Sequence, residues 1–250
     1  MADRRLLGLA LAALAVSAAF LAVGLKGNIA FVLELRLLKL AALAQVGVAI
    51  AVSTVIFQTV TGNRILTPSI MGLDALYLFG QMLLVFLLGG LGYVTLDAQL
   101  KFGIEVALLM VLASALLLPM LGSRLDMGLM LLAGVVLGVL FRSLQSLLAR
   151  LIDPNEFAVV QSASFANFNA VRTDLLLFAA GVTVVAVILA WRARHVLDVV
   201  SLGADAATGL GVGWAGTVTG LLLLVSALVA VSTALVGPVA FFGLLVAALA

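Results

Sequence analysis

The polar side chains that interrupt the apolar stretches of this sequence are mostly amides and hydroxyls: Gln45, Ser53, Thr54, Gln58 and Gln81. Such groups hydrogen-bond without carrying charge, and within a membrane they face protein or water, not lipid. They suit the wall of a polar path or a set of interhelical hydrogen bonds. Gln45, Ser53, Gln58 and Gln81 are therefore candidate path residues. Asp74 and Glu105 lie near span ends, within reach of water, and Lys101 stands four residues before Glu105, close enough to pair with it on one helical face. No acidic residue falls clearly deep inside a span, where a proton- or sodium-coupled carrier needs one. A paired aspartate set, a Ser with His and a histidine cluster are all lacking, which disfavours an intramembrane protease. His195 is the single histidine and cannot form a metal cluster alone, and the absence of cysteine excludes disulfides and thiolate sites. No channel filter is evident. No phosphate loop of the Gly-x-x-x-x-Gly-Lys-Ser/Thr type occurs, so the chain is not expected to hydrolyse ATP, and no catalytic, cofactor or metal residue is assigned. What remains is a passive pathway whose energy enters from elsewhere.

The elements that must carry these residues follow from composition. Of 250 residues, 65% are hydrophobic and 10% charged, against about a quarter charged in soluble domains. A helix needs roughly 20 largely apolar residues to cross the hydrocarbon. Uncharged runs cover Leu6–Leu25, Leu40–Asn63, Ala75–Leu96, Val106–Ser123 and Leu175–Trp191, and Ala206–Ala250 has no charge at all. A further span starts at Met127 and resumes after Arg142. The final stretch holds one span and the start of another, with Gly237-Pro238 between them. These runs are Leu- and Ala-rich and do not alternate, which favours helices over a membrane β-barrel. Arg4-Arg5 before Leu6 would suit a secretory signal, but the apolar run is long and further spans follow it. The fold class is all-α, a polytopic transmembrane bundle in lipid. Basic residues are too scattered for a nucleic-acid footprint. Their tally on alternate sides is nearly equal (Arg4, Arg5, Arg64, Arg124, Arg192 and Arg194 against Lys26, Arg36, Lys39, Lys101, Arg142, Arg150 and Arg172), so charge bias leaves the orientation open.

Connections are short except from Arg142 to Asp174. There Asp153-Pro154-Asn155-Glu156 reads as a turn or helix start, and Ser162–Thr173 as a polar, aromatic segment running along one membrane face. Gly134 and Gly138 form a Gly-x-x-x-Gly packing face. After Trp191 comes a short amphipathic piece, Arg192 to Gly211. It could form two small interfacial helices joined at Gly203, although spacing alone also allows an ordinary connecting loop.

At these residues the chain resembles the permease subunits of iron-chelate ABC importers, the broad family that includes the vitamin B12 import permease. The likeness rests on Asn63-Arg64-Ile65-Leu66-Thr67-Pro68-Ser69-Ile70-Met71-Gly72, and on Phe141-Arg142-Ser143-Leu144 with Leu151 to Phe157. It rests also on Leu197–Gly211 and on Gly237-Pro238-Val239-Ala240-Phe241-Phe242-Gly243-Leu244. It covers nearly the whole chain, and four motifs in order are more specific than any one. The first two are similar to a siderophore-importing branch.

The resemblance implies a type II importer permease in a bacterial cytoplasmic membrane, with residues 1–250 forming a single transmembrane domain cut short at its C-terminus relative to the family. It implies alternating access along a path between two permeases, identical or related. Two cytoplasmic ATPase subunits would use the ATP, and an extracytoplasmic binding protein would deliver a ferric siderophore. Another iron chelate, haem or cobalamin is the alternative cargo, and an ion-gradient-driven carrier the alternative class. The segment around Val199, Leu202, Gly203, Ala204 and Asp205 would be the ATPase coupling contact, facing the cytoplasm together with the Asn63–Met71 loop. Arg36 and Lys39 would dock the binding protein. They replace an Arg-Leu-Pro-Arg pattern: charge is kept at both positions, the proline is lost, and lysine cannot reproduce arginine's bidentate geometry.

Overall fold

A computed structural model describes residues 2–25, 27–122, 127–163, 165–169, 171–239 and 242–249. Ala240 and Phe241 of the last motif, Ser164 and Ala170 of the polar segment, and Lys26 and Arg124 of the charge tally lie outside them. The chain forms two compact units, Met1–Ala44 and Gln45–Ala250.

The first unit holds α1 (Ala2–Ala22) and the opening turns of α2 (Ile29–Thr61). A helix ends with carbonyls that lack partners. Here they are met by Arg36, whose Nη1 donates to the carbonyls of Phe20 (2.7 Å) and Val23 (2.6 Å) and whose Nη2 donates to that of Gly24 (3.2 Å). Helix α2 starts at Ile29, eleven residues before the uncharged run at Leu40. Glu34, Arg36 and Lys39 bound the apolar run without bounding the helix, and Leu38, at the position of the family's proline, lets the helix continue.

The second unit holds the rest of α2 and α3 (Asp74–Thr95), α4 (Ala98–Gly122), α5 (Met127–Leu151), α6 (Pro154–Ala163), α7 (Thr173–Arg192), α8 (Arg194–Val200), α9 (Ala204–Gly209), α10 (Trp214–Val236) and α11 (Phe242–Leu249). Six helices among the described residues are long and apolar enough to cross a membrane: α2, α3 with its preceding turn, α4, α5, α7 and α10; Leu7–Ala22 of α1 is apolar but shorter. The protein is an all-α, multi-pass membrane bundle. Helix α10 is the most buried span and packs on α4 and α7, while α3 packs on α5 and α6.

Two differences from the sequence reading have clear causes. Helix α4 begins at Ala98, not near Val106, because Lys101 and Glu105 lie inside it. Helix α5 runs unbroken through Arg142 to Leu151, and Asp153 then opens α6: its Oδ1 accepts from the Asn155 amide (2.8 Å), with Pro154 as the first helical residue. The long connection is therefore mostly helix, with 165–169 and 171–172 as the described residues between α6 and α7.

Glycines and caps join these pieces. Helix α3 is broken at Gly89 (φ +71°), which frees the Gly90 amide, and that amide donates to Glu156 Oε1 of α6 at 2.7 Å. A side chain on Gly90 would strike the same glutamate. Gly134 and Gly138 do form a close-packing face, but against a turn: a short π-helical stretch, Ser69–Leu73, presses Met71 and Gly72 onto α5.

Candidate functional site

The segment assigned to coupling forms an elbow of two short helices. Helix α8 ends near Ser201, and Gly203 (φ +93°, ψ 169°) precedes α9. Only glycine adopts that backbone region without strain. Gly211 (φ +87°) closes α9: its amide bonds Thr208 O and the Val212 amide bonds Ala207 O, both at 3.0 Å, the double carbonyl cap of a helix C-terminus. The elbow is held from behind. Val200 and Ala207 are buried, and Val196 and Leu197 pack on a cluster containing Ile56, Phe57, Ala190 and Val218. In front, Asp198, Leu202 and Asp205 are exposed, and Leu202 leaves 62% of its surface open at the tip. Val199 and Ala204 are half-buried at its flanks.

Buried Leu66 of the Asn63–Met71 loop joins the same cluster. Helix α2 stops at Gly62 (φ +64°) in the same double-cap pattern, with Asn63 N bonded to Gln58 O and Gly62 N to Thr59 O. Asn63 Oδ1 accepts from the Ile65 amide (2.9 Å), and Thr67 Oγ1 accepts from Ile70 (3.3 Å) ahead of the π-helical turn. The motif thus encodes a stop, a bend and a restart.

At one end of the unit, the close of α3, the start of α4, Phe165, Asn167 and the close of α10 line an open pocket of ≈ 330 Å³. Tyr77, Tyr93, Lys101, Glu105, Asn167 and Gly237 contribute to its wall. Glu105 is buried, 7% exposed, two turns into α4 on the pocket wall, and it does not pair directly with Lys101. The Tyr93 hydroxyl lies 2.8 Å from Glu105 Oε1 and also meets Gln81 Oε1, while Lys101 Nζ sits 3.7 Å from the Tyr93 ring centroid. The three groups form one hydrogen-bonded unit between α3 and α4. Phe165 and Asn167 pack against the close of α10: the Asn167 amide donates to Val236 O at 2.6 Å, and Gly237 leaves no room for a Cβ beside Phe165 O. At the start of α7 Arg172 pairs with Asp174 at 2.9 Å, which raises the guanidinium above its ordinary range through the hydrogen bond.

The four candidate path residues are not brought together. Gln45 Nε2 donates to Thr183 Oγ1 (2.8 Å) and ties α2 to α7. Ser53 bonds the Ile50 carbonyl (3.0 Å) in its own helix, Gln58 Nε2 bonds the Arg64 carbonyl (2.5 Å) in the loop, and Gln81 belongs to the Tyr93 unit. Lys39 is half-buried on α2, one turn beyond Arg36. Sequence reasoning missed Tyr93 and the Glu156–Gly90 cap; the paired glycines at 89 and 90 and the Lys101–Glu105 spacing were the available signals.

Comparison with known proteins agrees with this architecture. The FecCD transport family matches residues 6–250. The chain is 45% identical over 245 residues to the petrobactin import system permease protein YclO of Bacillus subtilis, covering 95% of this chain and 78% of that protein. It is 33% identical over 220 residues to the petrobactin import system permease protein FatC of Bacillus anthracis, covering 87% of this chain and 62% of that protein. Among solved structures, an inward-facing conformation of a metal-chelate type ABC transporter has a TM-score of 0.80 at 22% identity, covering 98% of this chain and 79% of that one.

Proposed function

The chain belongs to the FecCD transport family, and on that premise we propose that it is the permease subunit of an ATP-driven importer carrying a ferric siderophore across the bacterial cytoplasmic membrane. The observation that carries the reading is the α8–α9 elbow. It is a stiff connection between two spans, buried behind and apolar at its exposed tip, as a contact that transmits force from another subunit must be. A slack loop would absorb the motion. In this reading two cytoplasmic ATPases seat on Val199, Leu202, Gly203, Ala204 and Asp205 of two permeases and switch the path between them. Gln45, Ser53, Gln58 and Gln81 are proposed near that path, and the bonds they make here suit a role in holding its walls. The relatives' names make petrobactin the first cargo to try.

Deletion of the permease gene should abolish most uptake of radiolabelled ferric petrobactin in iron-starved cells. Intact chelate uptake with impaired haem or cobalamin uptake would redirect the substrate. Uptake in proteoliposomes driven by an ion gradient without ATP or an ATPase would reject the importer class.

Arg36 and Lys39 are proposed to dock the extracytoplasmic binding protein. The double charge reversal R36E/K39E should weaken docking by about tenfold at low salt, with the loss shrinking as ionic strength rises. Because Arg36 also caps α1, K39E alone separates docking from folding. Unchanged affinity of K39E and of the double variant at low salt would remove both residues from the interface.

A further inference from the structure

One side of α7 ends in a cluster of cations that coupling and docking leave unused. Leu177, Val184, Ile188 and Trp191 recur along one helical stripe, and each is more than half exposed. Ala179, Thr183, Ala186 and Ala190 are buried on the remainder of the helix. The stripe is therefore the side that meets hydrocarbon. It closes on Trp191, 68% exposed in the last turn, with Arg192 exposed beside it. Arg194, the first residue of α8, folds back over the indole with its Cζ 4.8 Å from the ring centroid. Its Nε donates to His195 Nε2 at 3.3 Å, leaving the two terminal nitrogens of the fork unengaged. Among the described residues the ion pair is Arg172–Asp174, so neither Arg192 nor Arg194 has a carboxylate partner.

A tryptophan at the end of a lipid-facing stripe marks headgroup depth. Two unpaired guanidiniums at that depth offer planar, bidentate donors that match a phosphate. The pair sits where the lipid-facing stripe of α7 ends, the depth at which headgroups lie. We infer that Trp191, Arg192 and Arg194 form a site for the phosphate of an anionic phospholipid at the end of α7. Because Arg194 begins α8, the lipid is held at the root of the coupling elbow. The inference rests on α7 spanning the membrane and is independent of the cargo.

The test uses the whole chain reconstituted in phosphatidylcholine vesicles doped with brominated phosphatidylglycerol or brominated phosphatidylcholine. A Trp214→Phe background leaves Trp191 as the reporting fluorophore. Quenching should show a roughly fivefold or greater preference for phosphatidylglycerol, as expected from a basic residue close to an anionic surface. R192Q/R194Q should bring the preference to about one while ordinary quenching by brominated phosphatidylcholine persists. If the Trp214→Phe chain does not insert, retained phosphatidylglycerol adducts on the chain with both tryptophans are counted by native mass spectrometry, with the same fall expected in R192Q/R194Q. Equal quenching by the two lipids, or a preference undiminished in R192Q/R194Q, overturns the site. So does a double variant that keeps its lipid preference but no longer co-purifies with an ATPase, which would make the arginines a protein contact.

Discussion

Leu202→Asp in the full-length permease should leave the protein in the membrane and abolish its ATP-driven transport. Leu202 is 62% exposed at the tip of the elbow, so the aspartate is harmless to the isolated fold. In the assembled importer the same side chain would fill an apolar pocket of the ATPase, where an unpaired carboxylate is strongly disfavoured. Central apolar anchors of this kind typically contribute about 2 kcal/mol or more, a loss of roughly 30-fold in affinity. Gly203→Ala separates a second cause. No atom lies near its added Cβ, so bulk is not the issue, but the φ of +93° imposes strain of about 1–3 kcal/mol on any L residue. The elbow should relax by reorienting α9, and hydrolysis should continue with transport impaired. Co-purification with the ATPase and uptake in proteoliposomes read the two effects apart. Normal assembly and coupled uptake in both variants would remove the elbow from the coupling role.

The parts of the fold that sequence exposes are those set by local physics. Helix α7 follows its uncharged run within two residues, because length and apolarity fix a span, and α10 ends at Val236, just before the Gly237-Pro238 break read between two spans. Spacing allows two small helices joined at Gly203 or an ordinary connecting loop, and the structure has the two helices with their break at Gly203. Helices α2 and α4 start well before their uncharged runs, because charge at the rim of a membrane ends the apolar run without ending the helix. The buried cluster around Tyr93 was out of reach for a different reason. Glu105 sits only eight residues into α4 and looked accessible, yet α3 brings Gln81 and Tyr93 over it. The Glu156–Gly90 bond spans 66 positions, a partnership that no local spacing signals.

Gly72→Val should destabilise the membrane-inserted chain more than substitution of any exposed helix residue. Gly72 stands at φ +91°, ψ 9° in the turn that precedes α3, a backbone region that β-branched residues hardly enter. The space is also taken. A Cβ there would lie 3.1 Å from Gly138 Cα and 3.2 Å from Gly138 N, both backbone atoms of α5 that no rotamer change can move. On the reciprocal side Gly134 already receives Met71, so the turn cannot retreat along the helix without losing that contact. Backbone strain of about 1–3 kcal/mol and overpacking of a similar size combine to roughly 3–5 kcal/mol. For a chain of this length that corresponds to a fall of about 10 °C in the unfolding midpoint. Gly72→Ala should show most of the effect, since it brings the same Cβ and the same backbone strain and lacks only the branch. Gly216→Ala in α10, where nothing lies within reach of the new methyl, should be neutral or slightly stabilising and serves as the control. Thermal unfolding in detergent, followed by helical circular dichroism, gives the comparison. A Gly72→Val midpoint indistinguishable from that of Gly216→Ala would mean that the turn does not press on α5, and the Gly134–Gly138 face would lose its assigned partner.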